Sequence, residues 1–247
     1  MQDTNFDDIT LTRNYLQDIA KVVGKFQQVF LEPDVHYWHV GLVPTSSGFK
    51  SQAYTIGNST HEVLVDIEHA VVQTSEKSWT LGAVSPRQLF ADLADWLDQK
   101  HVSKGMELPS FRVDEVTYDA SHAIHVMQLL SESYKRLVAQ SAKLQAGSQS
   151  PILLYPHHFD VSLSWYPKHA QQFTLGFSTG DEIVKEPYYY LTAYPEPPQF
   201  KSQPLPEGAY WQSQGFSGGV FRRSEAEKIG AIPATIDSFF DLALKNA

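Results

Sequence analysis

The residues of this chain that could do chemistry fall in two similar stretches. His36–Leu42 reads His-Tyr-Trp-His-Val-Gly-Leu, and His157–Leu163 reads His-His-Phe-Asp-Val-Ser-Leu. If both stretches are strands, successive side chains point to opposite faces, so the apolar members face a core and the polar members share the other face. The polar set is Tyr37 and His39 in the first stretch, and His158, Asp160, Ser162 and Ser164 in the second.

Histidine and aspartate at these places suggest two kinds of chemistry. Two imidazoles and a carboxylate can hold a divalent metal ion, which makes His39, His158 and Asp160 weak candidates for metal ligands. Alternatively, Asp160 orients a histidine that acts as a general base without a metal. Neither spacing is diagnostic, because the wet face of an antiparallel strand commonly carries such residues. His39 and Asp160 are therefore the catalytic candidates, and the identity of any cofactor stays open.

Tyrosines add a possible ligand site. The run Tyr188-Tyr189-Tyr190 alternates faces if it is a strand, so part of it is core and part can line an aromatic pocket. The candidate ligand-binding residues are Tyr37, His39, His158, Asp160, Tyr188 and Tyr190.

Other motifs in the sequence give weaker evidence for a function. Gly215–Gly219 matches the Gly-x-Ser-x-Gly pattern of a hydrolase elbow, but that elbow needs a helix directly after the serine. Val220–Arg222 follows as a predicted strand, so Ser217 is expected in a glycine-rich turn. The sequence contains neither a phosphate-binding loop motif nor a dinucleotide-binding glycine motif.

Composition excludes several classes of function. The formal net charge is −9, which disfavours nucleic-acid partners, and the chain has no cysteine for disulfides or thiolate metal sites. The first eight residues hold three aspartates and no apolar run, and no apolar stretch approaches the roughly 20 residues of a membrane helix. We expect a soluble, cytoplasmic protein with no nucleic-acid or membrane partner, and with an oligomeric state that the sequence leaves open.

The elements that must position these residues follow from hydrophobic periodicity. A helix is predicted over Thr10–Gln28 with Leu11, Tyr15, Ile19, Val22, Phe26 and Val29 on its buried face. Short strands are then predicted over residues 36–43, 52–56, 62–68 and 79–84, and a helix after Ser85-Pro86.

The second half repeats that order of elements. Asp119 or Ser121 caps a long helix, and strands are predicted over residues 160–166, 172–177 and 188–193. The proline-rich segment Pro195–Pro206 is expected to be an extended surface crossing, followed by two strands and two helices. Short connections imply antiparallel pairing.

The predicted fold class is therefore α+β. We expect two similar lobes, each a helix, an antiparallel sheet and a helix, related by internal duplication and packed as one compact body. The whole of residues 1–247 is then a single domain, with pseudo-repeats at about residues 10–100 and 121–247.

Several short motifs occur in an order similar to one bacterial family. They are Val23-Gly24-Lys25, His36–Val40, Glu62–Asp66, Ser150-Pro151, Phe159–Val161 and Glu186–Pro198. On these motifs the chain resembles the domain-of-unknown-function family DUF5996 over nearly its whole length. The resemblance implies a family-length unit in a bacterial cytoplasmic protein and implies no activity. Relatives often have a Trp-Gly-Ser run where this chain has Pro156-His157-His158, which makes His158 the weaker candidate.

Three hypotheses about function follow. The first is a small-molecule-binding protein with a polar and aromatic cleft between the two lobes. The second is a hydrolase or lyase that uses His39 and Asp160, with or without a metal. The third is a structural or interaction module in which Pro195–Pro206 contacts a partner.

Overall fold

The computed structural model describes residues 6–100, 102, 106–113, 115–144, 147–168, 171–230 and 232–246. The first five residues of the acidic N-terminal stretch lie outside these ranges. Helices and antiparallel strands make up the described part, which confirms the predicted α+β class. None of its helices combines the length and the apolar character needed to cross a lipid bilayer.

The helices and strands have the following bounds. The helices are α1 (Phe6–Gln28), α2 (Pro86–Gln99), α3 (Ala120–Ser141), α4 (Arg223–Ile229) and α5 (Ile232–Asn246). The first nine strands are β1 (Val43–Pro44), β2 (Gly48–Lys50), β3 (Tyr54–Ile56), β4 (Ser59–His61), β5 (Leu64–Asp66), β6 (Val71–Gln73), β7 (Ser78–Thr80), β8 (Ser148–Gln149) and β9 (Leu153–Tyr155). The remaining strands are β10 (Asp160–Tyr166), β11 (Gln172–Ser178), β12 (Tyr188–Tyr194), β13 (Ala209–Gln212) and β14 (Gly218–Arg222).

The chain divides into two compact units. Unit 1 consists of Met1–Ser131 and Leu153–Phe159, and unit 2 consists of Glu132–Ile152 and Asp160–Ala247. Unit 1 contains the antiparallel sheet β1-β2-β5-β6-β7 and the separate hairpin β3-β4. The strands of unit 2 lie in the order β13-β14-β12-β11-β10-β8 and are also antiparallel. A helix followed by antiparallel strands and a further helix thus occurs in each half of the sequence, and duplication stays a prediction.

Two helix starts follow the predicted capping chemistry. The Ser85 side chain accepts a hydrogen bond from the Gln88 amide at 3.1 Å, and Pro86 is the first residue of α2. Before α3, the Asp119 carboxylate accepts from the His122 amide at 2.9 Å. Asp119 rather than Ser121 is therefore the cap, and the Ser121 hydroxyl donates to it.

Helix α1 is buried on almost every side within unit 1. Its predicted apolar face is largely confirmed, since Tyr15, Ile19, Val22 and Phe26 are buried, but Leu11 is 55% exposed. The opposite side is buried as well, and it includes the polar side chains Gln17, Asp18 and Gln27 at 0% exposure. Buried polar groups require hydrogen-bond partners, so these three side chains determine what can pack around the helix.

The predicted strand over residues 36–43 is wrong. Trp38–Val40 is a 3₁₀ turn, Tyr37 before it is left-handed with φ 61°, and only Val43–Pro44 pairs as a strand. Leu42 forms an isolated antiparallel bridge with Leu154, whereas the carbonyl oxygens of Trp38, His39 and Gly41 accept hydrogen bonds from side-chain amides. Gln27 Nε2 donates to the carbonyls of His39 and Gly41 at 2.8 and 2.9 Å, and Gln52 Nε2 donates to those of Trp38 and Gly41.

The first-half strands are also shorter than predicted. The structure has β3, β5 and β7 where the sequence predicts strands over residues 52–56, 62–68 and 79–84, and β2, β4 and β6 are not predicted. In unit 2, by contrast, β10, β11 and β12 lie where the sequence predicts strands. Each of these three strands has seven residues, so its two-residue period is repeated often enough to be recognised.

The proline-rich segment Pro195–Pro206 differs from the expected surface crossing. It contains the 3₁₀ turn Phe200–Ser202, and the Phe200 side chain is completely buried. The Phe200 ring packs edge-on against Phe173 and Trp211, with ring centroids 5.9 and 5.0 Å away. An aromatic anchor therefore fixes the segment to the sheet of unit 2.

We predict that Gln27→Ala destabilises the protein through the hydrogen bonds of its carboxamide. The carboxamide also accepts from the Gln52 amide at 2.8 Å, so its removal takes this partner from two part-buried backbone groups, the Gln52 amide and the His39 carbonyl. Each such group costs about 1–3 kcal/mol, and we expect the free energy of unfolding in denaturant to fall by about 2–4 kcal/mol.

The neighbouring Gln28→Ala is the matched control, because the Gln28 side chain is half-exposed and makes no hydrogen bond in the described part of the chain. Its free energy of unfolding should stay within about 0.5 kcal/mol of the wild-type value. If both variants lost the same free energy of unfolding, the hydrogen bonds of Gln27 would not be the cause of its effect.

Candidate functional site

Asp160 and Ser162 lie on one face of β10, and Val161 and Leu163 lie on the other. The alternation is as predicted, but the polar face is not open to solvent, because Asp160 is 5% and Ser162 4% exposed. An apolar cluster that includes Val184, Val220 and Phe216 forms within the same unit. The polar residues of this sheet face are therefore buried groups that need partners.

Tyr190 is the partner of Asp160. The register pairs Ser162 with Gly176 and Gly176 with Tyr190, so the three residues lie side by side on one face of the sheet. A side chain at Gly176 would meet the Tyr190 ring, since its Cβ would lie 2.2 Å from Tyr190 Cζ. The glycine thus leaves room for the ring to reach Asp160, and the phenol donates a short hydrogen bond to Asp160 Oδ2.

A second tyrosine–aspartate pair lies beside the first. The Tyr188 phenol donates to Asp181 Oδ2 at 2.5 Å, and Asp181 Oδ1 accepts from the amides of Ile183 and Val184. The rings of Tyr188 and Tyr190 have centroids 6.2 Å apart, and Phe216 stacks on Tyr188. The structure therefore brings together three predicted ligand residues, Asp160, Tyr188 and Tyr190, in unit 2.

The electrostatics of this cluster make the phenols hydrogen-bond donors. Burial raises the pKa of Tyr190 well above its ordinary value, and the Asp160 carboxylate raises it further. Burial and the neighbouring Asp181 likewise raise the pKa of Tyr188. Both phenols remain protonated at neutral pH, so they can donate to a carboxylate but cannot act as bases.

His39 and Tyr37 lie in unit 1. His39 Nδ1 accepts a hydrogen bond from the Asp34 amide at 2.9 Å, so a neutral His39 carries its proton on Nε2. The Tyr37 side chain is 68% exposed, and its ring stacks with that of His39 at a centroid distance of 6.2 Å. Because Asp160 belongs to unit 2, the convergence of His39 with Asp160 stays a prediction.

His158 also belongs to unit 1 and is exposed. Its carbonyl oxygen accepts from Arg13 at 3.5 Å, and its ring packs edge-on against His157 at 4.7 Å. Within the described ranges, no three or more His, Asp or Glu side chains form a group that could hold a metal ion.

A pocket of about 290 Å³ opens beside α1, entirely within unit 1. The helix contributes Lys21, Gly24, Lys25 and Gln28 to its lining. Three other segments complete the walls: Val40, residues 109–110 and residues 155–157. We call this cavity the α1 pocket.

Buried polar residues of α1 hold all three of those segments in place. Asp18 Oδ2 accepts from the amides of Arg112 and Val113, and Asp18 Oδ1 pairs with Lys21, which donates to the Ser110 carbonyl. Gln17 Nε2 donates to the carbonyls of Pro156 and His157 at 3.3 and 2.7 Å. As described above, Gln27 holds the turn that contains Val40.

Gly24 permits one wall to lie close to the helix. A Cβ at this position would be 3.0 Å from Pro156 Cγ, which is tighter than ordinary van der Waals contact. Glycine inside a helix is unfavourable by about 1 kcal/mol relative to alanine, so close packing of Pro156 gives a physical reason for it here.

Two polar side chains of the pocket have no partner among the residues that the structure describes. Lys25 and Gln28 are half-buried, and neither makes a side-chain hydrogen bond or ion pair with any part of the chain that the structure describes. Lys21 is different, because its ammonium is 3.0 Å from Asp18 Oδ1 and its charge is compensated. Among the described residues, the α1 pocket therefore presents one positive charge without a paired carboxylate and one carboxamide without a hydrogen bond.

Sequence reasoning missed these pocket residues. Lys21, Lys25 and Gln28 are spaced by four and three positions on the predicted helix, which places them on one face. A polar helix face of this kind normally faces solvent. The signal that could have found the site is Gly24 within this stripe, because a helical glycine often marks a close approach by another segment.

The sequence model of one family matches the chain. It is the Family of unknown function (DUF5996), matched over residues 2–174 and 167–241. The chain belongs to this family. No curated protein and no solved structure matches it. Two of the stretches on which the resemblance to this family rests, Val23-Gly24-Lys25 and Phe159–Val161, contribute residues to the α1 pocket and to the Asp160 cluster, respectively.

We expect Tyr190→Phe to destabilise the protein, because Asp160 would lose the phenol that donates to it in a buried setting. Hydrogen bonds to charged groups contribute about 1.5–3 kcal/mol, and the free energy of unfolding should fall by that amount. Tyr194→Phe is the matched control on the same strand, since Tyr194 is 79% exposed and should tolerate the change within about 0.5 kcal/mol. A Tyr190→Phe variant as stable as Tyr194→Phe would refute the proposed contribution of the Tyr190–Asp160 bond.

We also predict loss of stability at alkaline pH. Burial raises the pKa of Tyr15 from 10.0 to about 12, and it raises the pKa of four further tyrosines: Tyr54, Tyr118, Tyr188 and Tyr190. Above about pH 10 the unfolded chain releases these protons and the folded chain retains them, so unfolding becomes more favourable as pH rises.

Unfolding free energies measured between about pH 8 and pH 11, together with phenolate absorbance of the native protein, test this expectation. The free energy of unfolding should be constant up to about pH 10 and then decrease as the pH rises further. The phenolate absorbance of these tyrosines should appear only when the protein unfolds. A level profile through the whole range would contradict it.

Proposed function

We propose that this chain is a small-molecule-binding protein and that its ligand occupies the α1 pocket. The observation that carries the proposal is the pair of polar side chains, Lys25 and Gln28, that line the cavity without partners in the described protein. Ligand sites typically combine apolar walls with a few polar groups that fix orientation. The walls here include Val40, Pro109 and Pro156.

The construction of the walls supports a preformed site. Gln17 bonds the carbonyls of Pro156 and His157, Gln27 bonds the carbonyls on either side of Val40, and Lys21, which pairs with Asp18, bonds the carbonyl of Ser110. The cavity therefore does not depend on a ligand to assemble it. A preformed cavity binds with a smaller loss of conformational entropy than one that must order loops on binding. The volume of about 290 Å³ is near the lower end of known ligand pockets, which suits a metabolite-sized molecule.

The Asp160 cluster in unit 2 is a weaker candidate for the ligand site. Tyr190 already occupies Asp160 Oδ2, and Tyr188 occupies Asp181 Oδ2. A ligand that bound these carboxylates would have to replace buried hydrogen bonds that the protein already makes. The α1 pocket requires no such exchange at Lys25 or Gln28.

We further propose that the protein acts in the bacterial cytoplasm and that its ligand is not a nucleic acid. The absence of cysteine suits a reducing compartment, and the net charge of −9 opposes phosphate backbones over most of the surface.

A thermal-shift screen of a metabolite library tests the proposal with two tryptophan variants. Gln28→Trp fills the pocket without removing a hydrogen bond, and Gln128→Trp makes the same change at an exposed position of α3. A ligand at about 100 times its dissociation constant stabilises the folded state by about 2.7 kcal/mol, which gives a measurable rise in melting temperature.

We expect hits that raise the melting temperature of the wild type and of Gln128→Trp and that have no effect on Gln28→Trp. Hits that act equally on all three proteins would place the ligand elsewhere. The absence of any hit for the wild type would contradict a binding function.

A further inference from the structure

We propose that the α1 pocket selects small monocarboxylates with an apolar body, an inference that rests on the proposed binding function. It concerns the charge and size of the ligand, which the presence of a pocket alone does not define. Three features of the cavity define this class: the charges that face it, the hydrogen-bond donors beside them and its apolar wall residues.

The charge balance of the lining favours an anion with a single charge. Lys25 contributes one ammonium group that no described carboxylate compensates, whereas Asp18 compensates Lys21 at 3.0 Å. A bound monoanion would pair with Lys25 and leave no excess charge in a partly buried site. A dianion would retain an unpaired negative charge on a protein that already carries −9.

The donors beside Lys25 suit the two oxygens of a carboxylate. Gln28 follows Lys25 by three residues, which places both side chains on the same face of α1. The free carboxamide of Gln28 offers N–H donors, and the ammonium of Lys25 offers a charge-assisted hydrogen bond. One oxygen of the ligand can accept from Lys25 while the other accepts from Gln28.

The remaining walls combine the polar residues Ser110, Tyr155 and His157 with three apolar residues, and the apolar residues favour a hydrocarbon body on the ligand. Val40, Pro109 and Pro156 have no side-chain hydrogen-bonding group, and their apolar carbon atoms line the cavity. A small, fully polar anion would leave this surface unfilled, whereas a short aliphatic or aromatic group would bury it and be stabilised by about 25 cal/mol per Å². The class is therefore a carboxylate that carries a compact hydrocarbon group.

The experiment compares acids with their uncharged amides. Binding of benzoate and benzamide, phenylacetate and phenylacetamide, and hexanoate and hexanamide to the whole chain is measured by calorimetry and by shifts of backbone amide resonances in α1. Inorganic phosphate serves as the small polar anion. The proteins compared are the wild type, Lys25→Met, Lys25→Arg and the control Lys135→Met, in which an exposed lysine is changed in the same way.

We expect at least one acid to bind the wild type about tenfold more tightly than its amide, and phosphate to bind more weakly than that acid. Lys25→Met should lose the preference for the acid, while Lys25→Arg and Lys135→Met should keep it. Resonances of α1 residues near Gln28 should shift on binding.

Other results would overturn the inference in distinguishable ways. Amides that bind in the α1 pocket as tightly as the acids would leave the binding function intact and refute the carboxylate class. Preferential binding of phosphate, or an acid preference that survives in Lys25→Met, would refute the role of Lys25. If no acid or amide binds, the carboxylate class fails, and the library screen with Gln28→Trp decides separately whether the pocket binds anything.

Discussion

The structure of unit 1 depends on hydrogen bonds from buried polar side chains of one helix to backbone groups of distant segments. Gln17, Asp18 and Gln27 are fully buried in α1, and each pairs with backbone atoms that no strand or helix satisfies. A buried backbone group without a partner is costly, so the segments that carry these groups are confined to positions where a side chain of α1 can reach them. The walls of the α1 pocket are consequently fixed mainly by buried side chains of the helix, together with Lys21, which lines the cavity and bonds the Ser110 carbonyl.

The need of buried polar groups for partners also distinguishes the Asp160 cluster of unit 2 from the polar residues of the α1 pocket in unit 1. In unit 2 the phenols of Tyr188 and Tyr190 complement Asp181 and Asp160, which accounts for negatively charged groups on a covered sheet face. In unit 1 the ammonium of Lys25 faces a cavity with no counter-charge in the described protein. The first arrangement contributes to stability and resists exchange with a ligand, and the second leaves interaction energy available for binding.

How far the sequence predicts this fold depends on where the hydrogen bonds of each segment go. The seven-residue strands β10 to β12 satisfy their backbone locally through neighbouring strands, so period and turn residues were sufficient to predict them. The stretch His36–Val43 has an equally strand-like pattern. The carbonyl oxygens of Trp38 and His39 within it, however, accept hydrogen bonds from the side chains of Gln52 and Gln27, respectively. The alternation of apolar and polar residues indicates which side chains prefer burial. It contains no information that a glutamine in another element supplies the hydrogen bonds of the backbone.

The prediction of site residues met a related limit. Histidine and aspartate are natural candidates for site residues because their chemistry is versatile. In the structure, however, Asp160 accepts a hydrogen bond from a phenol and His39 Nδ1 accepts one from a backbone amide. Lysine and glutamine on a helix face are ordinary solvent-exposed residues by type, and only the segments that pack around them turn that face into a pocket lining. What distinguishes Lys25 from Lys21, four residues away, is that Asp18 lies within reach of one ammonium and not of the other. The proposed binding site is therefore defined by polar groups that the described residues leave unsatisfied, a property of the packed structure that residue type does not determine.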